Sequence, residues 1–480
     1  MTQVQSYGIM FLVQNTHTER TCVMNILSYE SENATVFSNR TDAFFHRFRV
    51  GDILRKCNAY KEKGIPALAV FLYLFHLVFR NRSVYLDMQV GKSRSFAKDT
   101  VYRFKNSIRI QWMKFTTLLA SAIIREAIAP LTSENRRSAF VVDDSVFERP
   151  RSKSVELLAN VFDHAHHKYL RGFRMLTLGW SDGATFIPVN SCLLSSENKQ
   201  NRYNEAAQFK SNSYAAEIRR LAQSKGTDVV LYLIDRAQEF GVLAKYVLFD
   251  SWFTSPKMIR ALKERNLDTV AMVKKADTML FMFRGTLLSV KSIYNSCKKR
   301  RGRAKYLLSV DIEVAGETPI PAKLVYVRNR NDRQKYLVLI CTDVSLSEKE
   351  IIELYGKRWD IEVFFKTCKS VLNLTGECRS LSYDSMCAQT AIVFTRYMFM
   401  AVAIREEKDA RSAGPLFCLV CDEMADISFS DAMEKLQLFL ENLLSLINST
   451  DADIHAVIVA FLADLPEVIS KHLKLSFQST

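Results

Sequence analysis

The chain has 480 residues, enough for two to four domains with a full-sized core. Its 66 Lys and Arg outnumber 51 Asp and Glu, giving a net charge of +15 and a pI near 9.3. That excess favours a polyanionic partner, nucleic acid or a membrane surface, and is silent on fold. A composition of 48% apolar and 24% charged residues is that of a globular chain, and no low-complexity linker or internal repeat interrupts it.

The most apolar run, Ile65 to Phe79, is 15 residues long. A bilayer span needs about 20, so a buried core helix is expected there and no transmembrane segment anywhere. No basic stretch precedes an apolar one at the N-terminus, so no secretory signal is read. Ten scattered cysteines suit a reducing compartment, and a cytoplasmic location is expected.

In chain order, residues 1–130 read as a helical N-terminal region. Within it, Ser95 to Asn106 resembles the second helix of a helix-turn-helix, anchored by Phe96, Val101 and Phe104. Lys98 and Arg103 lie on its polar side as candidate DNA contacts; the plainer reading is a basic surface helix. Residues 131–275 alternate between strand and helix patterns. Ser138 to Asp144 is a short apolar run ending in two acids. Arg174 to Trp180 and Thr185 to Cys192 read as strands around a Ser181-Asp182-Gly183 turn. Lys245 to Asp250 is a further strand ending in an acid. Residues 276–345 break the alternation with three further strands, preceded by the basic run Lys298 to Lys305. Residues 346–405 begin with a helix signalled by a Ser347–Glu350 capping box and a Leu346–Ile351 staple. Residues 406–480 read as a helical C-terminal region.

Asp144 and Asp250 stand at the C-terminal ends of buried-looking strands, the edge where sites form in open α/β sheets. A strand-end Asp is also a common turn former. Asp143 competes with Asp144, and alternation puts the two on opposite faces of the strand. The helix after residue 347 carries Tyr355, Arg358, Glu362 and Lys369 at offsets of 0, 3, 7 and 14. At about 100° per residue they fall within a stripe roughly 60° wide. Ile352, Trp359 and Val363 flank it on one side and Leu354, Ile361 and Phe365 on the other. Glu353, Lys357, Asp360 and Thr367 fall opposite, so the charged stripe is expected to face inward. Burying charge without a partner is costly, which suggests a cleft with a charged ligand or metal. Three carboxylates without an obvious nucleophile point to metal catalysis on a phosphodiester.

The spacing Tyr-x2-Arg-x3-Glu-x6-Lys resembles the signature of the DDE insertion-sequence transposases of bacteria, specifically the group called "IS four". Tyr355, Arg358, Glu362 and Lys369 match it at every position, and VVDDS and LFDSWF match the surroundings of its two aspartates with Asp144 and Asp250. A β-rich insertion before the glutamate is typical of that family, and 276–345 fits. The resemblance covers about 138–400 well and the N-terminal part loosely. It implies an α/β fold with an RNase H-like catalytic domain interrupted by the insertion. It implies Asp144, Asp250 and Glu362 as catalytic residues holding two Mg²⁺, with Mn²⁺ as a substitute. Tyr355, Arg358 and Lys369 would hold phosphates of the terminal DNA. The implied chemistry is nicking at the element ends followed by strand transfer to target double-stranded DNA, carried out by a homodimer. Relatives that flip a terminal base stack it on an aromatic residue, which can be a tryptophan of the insertion. The chain's tryptophans are Trp112, Trp180, Trp252 and Trp359, none in 276–345, where Phe283 could substitute.

Of the remaining signals, Lys298, Lys299, Arg300, Arg301 and Arg303 are read as DNA backbone contacts. Cys418 and Cys421 form a CxxC better explained as core cysteines than as a zinc site. Asp163, His164, His166 and His167 are better explained as a polar turn than as metal ligands. Two alternatives stay open: an RNase H-like nuclease without strand transfer, and a catalytically silent, transposase-derived DNA-binding protein.

Overall fold

The computed structural model describes residues 34–90, 96–133, 135–163, 167–301, 304–329, 335–376, 379–406 and Cys421. The chain divides into two units, residues 44–417 and residues 1–43 with 418–480. In the second of these only 34–43 and Cys421 are described, so the helical C-terminal region expected at 406–480, and Cys418 with it, lie outside the described residues. Among the described residues, every strand lies within 44–417.

Among the described residues six α-helices precede the strands: α1 (Ala34–Arg47, which begins in the other unit), α2 (Val50–Lys56), α3 (Ala67–His76), α4 (Val84–Val90), α5 (Lys98–Lys105) and α6 (Trp112–Ile123). The apolar run expected to be a core helix is α3, with Val70, Phe71, Leu74 and Phe75 buried. In α5, Val101 and Phe104 are buried as anchors, and Phe96 meets the Tyr73 ring edge-on at 5.3 Å. Lys98 and Arg103 are exposed.

Next come four strands: β1 (Ala139–Glu148), β2 (Ala159–Asp163), β3 (Lys168–Ser181) and β4 (Phe186–Leu194). Then come α7 (Tyr214–Ala222), α8 (Gly226–Glu239), β5 (Tyr246–Phe249), α9 (Pro256–Lys263) and β6 (Asp268–Met272). Their order is β4-β3-β1-β5-β6, with β1, β5 and β6 parallel and β3 antiparallel to β1. This is the α/β, RNase H-like arrangement expected. The β3–β4 turn is closed by Asp182, whose Oδ1 accepts from the Ala184 and Thr185 amides at 2.9 Å each.

Residues 276–345 form β7 (Leu280–Phe283), β8 (Thr286–Ser289), α10 (Val290–Ser296), β9 (Tyr306–Val314), β10 (Ile320–Arg328) and β11 (Tyr336–Cys341). They extend the central sheet, because β11 pairs antiparallel with β6 and the order continues β10-β9-β7-β8. Three short elements here, β7, β8 and α10, were not read from the sequence.

After β11 the chain forms α11 (Glu348–Gly356), α12 (Trp359–Ser370) and α13 (Tyr383–Glu406). The capping box and the buried Leu346–Ile351 pair start α11 as expected. Contrary to the expectation that no segment could cross a membrane, α13 is long and apolar enough by length and composition. It is largely buried, however, against α6, β4 and α3. Its Phe399 meets Phe44 at 5.4 Å and Phe75 at 5.7 Å. Its fully buried Arg396 donates to the carbonyls of Leu74, Phe75 and Leu372. A buried guanidinium is tolerated because each donor finds an acceptor, here partly the orphan carbonyls at the end of α3.

Candidate active site

Strand register decides which acids meet. Val141 of β1 stands beside Leu248 of β5 in the parallel pair. Two residues further on along each strand, alternation brings Asp143 and Asp250 to the same face of the sheet. Asp144 points to the other face. There it is held by Arg174 of β3, which donates from Nε to Oδ2 at 2.6 Å and from Nη2 to Oδ1 at 2.9 Å. The sequence pattern could not separate Asp143 from Asp144, and the pairing separates them.

Helix α12 crosses the Asp143 face. Arg358 donates from Nη1 to Asp143 Oδ2 at 2.9 Å and from Nη2 to Glu362 Oε1. Asp143 Oδ1 also accepts from the Asp144 amide at 2.8 Å. Burial pushes the Asp143 carboxyl up to about 7; Asp144 and Asp250 add repulsion against the pull of Arg358. The Tyr355 hydroxyl is buried with no hydrogen-bond partner among the described residues, and burial raises it to about 12. Asp250, just past β5, accepts at Oδ1 from the Trp252 amide at 2.8 Å, and its carbonyl accepts from Thr254 Oγ1 at 3.0 Å. The Trp252 ring centre is 5.4 Å from the Arg174 guanidinium and 4.4 Å from the Lys274 ammonium. Asp144 thus reaches the Asp250 loop indirectly, through Arg174 and Trp252.

The helix bearing Glu362 is not continuous from 347. The ladder breaks at Lys357–Arg358, where Arg358 N bonds to Tyr355 O and Asp360 N to Lys357 O, three residues back. A single helical projection across that break therefore fails. The inward face is Leu354, Ile361, Phe364, Phe365 and Cys368. Trp359 and Val363, expected to flank an inward stripe, are 62% and 49% exposed. Tyr355, Arg358 and Glu362 are half-buried at the boundary, and Lys369 is exposed. Asp360 and Thr367, expected to face water, turn inward: Asp360 Oδ2 accepts from Ser181 Oγ at 3.0 Å, and Thr367 is buried.

The structure thus brings Asp143, Asp250, Tyr355, Arg358 and Glu362 together, and keeps Asp144 behind Arg174. Among the described residues no three His, Cys, Asp or Glu converge closely enough to share one metal ion, since the Arg358 guanidinium stands between Asp143 and Glu362. Lys298, Arg300 and Arg301 are exposed and Lys299 is half-buried; Arg303 lies outside the described residues, as do His164 and His166. Asp143, Arg174 and Trp252 were not selected from sequence, because their roles depend on strand pairing.

Asp143 within β1 and Asp250 just past the adjacent parallel strand β5 share one face of an α/β sheet, and the helix that carries Glu362 lies across it. A family described as "DDE superfamily endonuclease" matches residues 80–328, more than half of the chain, and the chain belongs to that family. Its fold is also similar to a structure reported as "Cryo-EM structure of piggyBac transposase synaptic complex with hairpin DNA (SNHP)". There the identity is 12%, the match covers 80% of this chain and 79% of that one, and the TM-score is 0.43. No curated protein matches the chain.

Proposed function

We propose that the chain is a DNA transposase that cuts and joins strands by divalent-metal chemistry at Asp143, Asp250 and Glu362. The observation that carries this reading is the shared face of Asp143 and Asp250, bridged to Glu362 by Arg358. Asp143 replaces the Asp144 expected from the family signature, and Asp144 becomes a positioning residue acting through Arg174. The carboxylates form no ready-made cluster, but Asp143 has reason to take a cation: it is buried, repelled by two neighbouring acids and held in part by a single guanidinium. An added divalent ion would relieve that cost and compete with Arg358 for the same oxygens.

The chemistry supplied by two bound Mg²⁺, with Mn²⁺ as a substitute, is activation of the attacking oxygen and stabilisation of the leaving oxygen. Arg358, a planar fork beside Asp143, is suited to a phosphate once released. Tyr355 offers it an unused hydroxyl. Lys369, Lys298, Lys299, Arg300, Arg301, Lys98 and Arg103 would add backbone contacts to element ends and target. The narrower reading is a bacterial insertion-sequence enzyme of the "IS four" group, working as a homodimer at the nucleoid. In it residues 1–130 bind DNA, 131–275 and 346–405 catalyse, 276–345 form the insertion and 406–480 a helical end.

A second reading, a DNA-binding protein that no longer cuts, draws on the bridging of Asp143 and Glu362 by Arg358 in place of a carboxylate cluster. Cleavage of DNA carrying the element's ends, with Mg²⁺ or with chelator, decides between them. The transposase reading expects cutting that chelator, Asp250→Asn or Glu362→Gln abolishes while DNA affinity survives. Binding without metal-dependent cutting by the wild type would leave the second reading.

A further inference from the structure

Three side chains of the strand-rich segment, with Lys275 just before it, form a column. The rings of Tyr294 in α10 and Tyr336 in β11 stack with centroids 4.1 Å apart and planes 22° from parallel. The Lys275 ammonium sits 4.1 Å from the Tyr336 centroid, and the Lys299 ammonium 4.6 Å from that of Tyr294. Rings stacked at 4.1 Å leave no room for an ammonium between them, so each lysine must cap an outer face. Arg300 repeats the arrangement over Tyr306 at 4.4 Å. Among the described residues no carboxylate forms a salt bridge with Lys275 or Lys299.

A tyrosine face orients a cation without cancelling its charge. Both lysines therefore keep a full charge for an outside anion, and part of the side-chain freedom they would lose on binding is already lost. Lysines at opposite ends of a two-ring stack cannot converge on one small anion. They fit a ligand whose negative charge repeats along its length. We infer that Lys275, Tyr336, Tyr294 and Lys299 form a grip for successive phosphates of a nucleic-acid backbone at the end of the sheet where β11 begins. The inference rests on the reading of the chain as a DNA-binding enzyme, and it assigns Lys275, Tyr294 and Tyr336 a role that motif spacing does not.

The test is binding of the full-length protein to a labelled DNA duplex, followed by fluorescence anisotropy from about 50 to 200 mM KCl. Lys275→Ala and Lys299→Ala are each expected to lower the slope of log affinity against log salt by about 1. Tyr336→Leu removes the support without removing charge. It should weaken binding about two- to fivefold at every salt concentration with an unchanged slope, and Tyr336→Phe should restore it. Both lysines lie at the surface end of their contacts, so their variants report on the grip even if Tyr336→Leu folds poorly. Wild-type slopes in both lysine variants would overturn the grip while leaving DNA binding intact. Absence of DNA binding by the wild type would overturn the grip and the parent reading together.

Discussion

Arg358, at the break between α11 and α12, bonds to Asp143 in the middle of β1 across 215 residues of sequence. That bond ties the glutamate helix to the face of the sheet that Asp143 shares with Asp250. Asp143→Asn is therefore expected to reduce Mg²⁺-dependent DNA cleavage below detection. Asp144→Asn, which disturbs only the Arg174 and Trp252 support, should reduce it about 10- to 100-fold, the usual cost of removing a partner that orients a ligand. Single-turnover cleavage by the two purified variants checks this. The reverse ranking would restore Asp144 as the reacting carboxylate.

Much of this arrangement was legible beforehand. The β3–β4 hairpin, the Asp250 strand end and the capping box of α11 are local patterns, and local patterns survive folding. The choice between Asp143 and Asp144 was not legible, because it depends on which residue of β5 stands beside Val141. Nor was the break at Lys357–Arg358: Gly356 is the only weak helix former nearby, and the residues after it favour a helix. What fixes the break is tertiary: Asp360 bonds to Ser181 at the end of β3, and Phe364 packs on Phe186 and Phe394.

Arg219 carries a second prediction. It donates from Nη2 to Asp384 Oδ2 at 2.6 Å and to Glu156 Oε2 at 2.9 Å, joining α7, α13 and the segment before β2. Arg219→Ala leaves two carboxylates facing each other with little access to water. A loss of about 3–5 kcal/mol in stability is expected, measured as the shift of the urea unfolding midpoint.

Gly172 stands where three strands meet, opposite Glu148 of β1 and Ala159 of β2. A methyl group there would fall on the Phe147 carbonyl oxygen, which is backbone and cannot swing aside. Gly172→Ala should destabilise by about 1–3 kcal/mol. Because β1 must shift to accommodate it, the same variant should also lose cleavage activity at temperatures where it remains folded. Calorimetry and a cleavage assay on one preparation separate the two effects.

His76, at the end of α3, is held neutral. Burial lowers it to about 4, and the charges of Arg80 and Arg396 act in the same direction. The unfolded chain therefore binds the proton more readily than the folded one between about pH 6.5 and pH 4. Stability that is fully present above pH 6.5 is expected to fall as pH drops through this window. His76→Gln should flatten that part of the profile. Unfolding temperatures at pH 7.5 and 5 for both proteins test it, and equal pH dependence would remove His76 as the cause.

The pairing of β11 with β6 carries a mechanical consequence. Strands β1, β5, β6, β11, β10 and β9 belong to one hydrogen-bonded sheet, so no flexible tether separates Asp250 at the end of β5 from the tyrosine stack at the start of β11. A duplex held by one and cut at the other would be measured against a stiff ruler. The distance from grip to cut would be counted in strand widths of about 4.8 Å, and loop changes in the outer strands would leave the cutting position where it was.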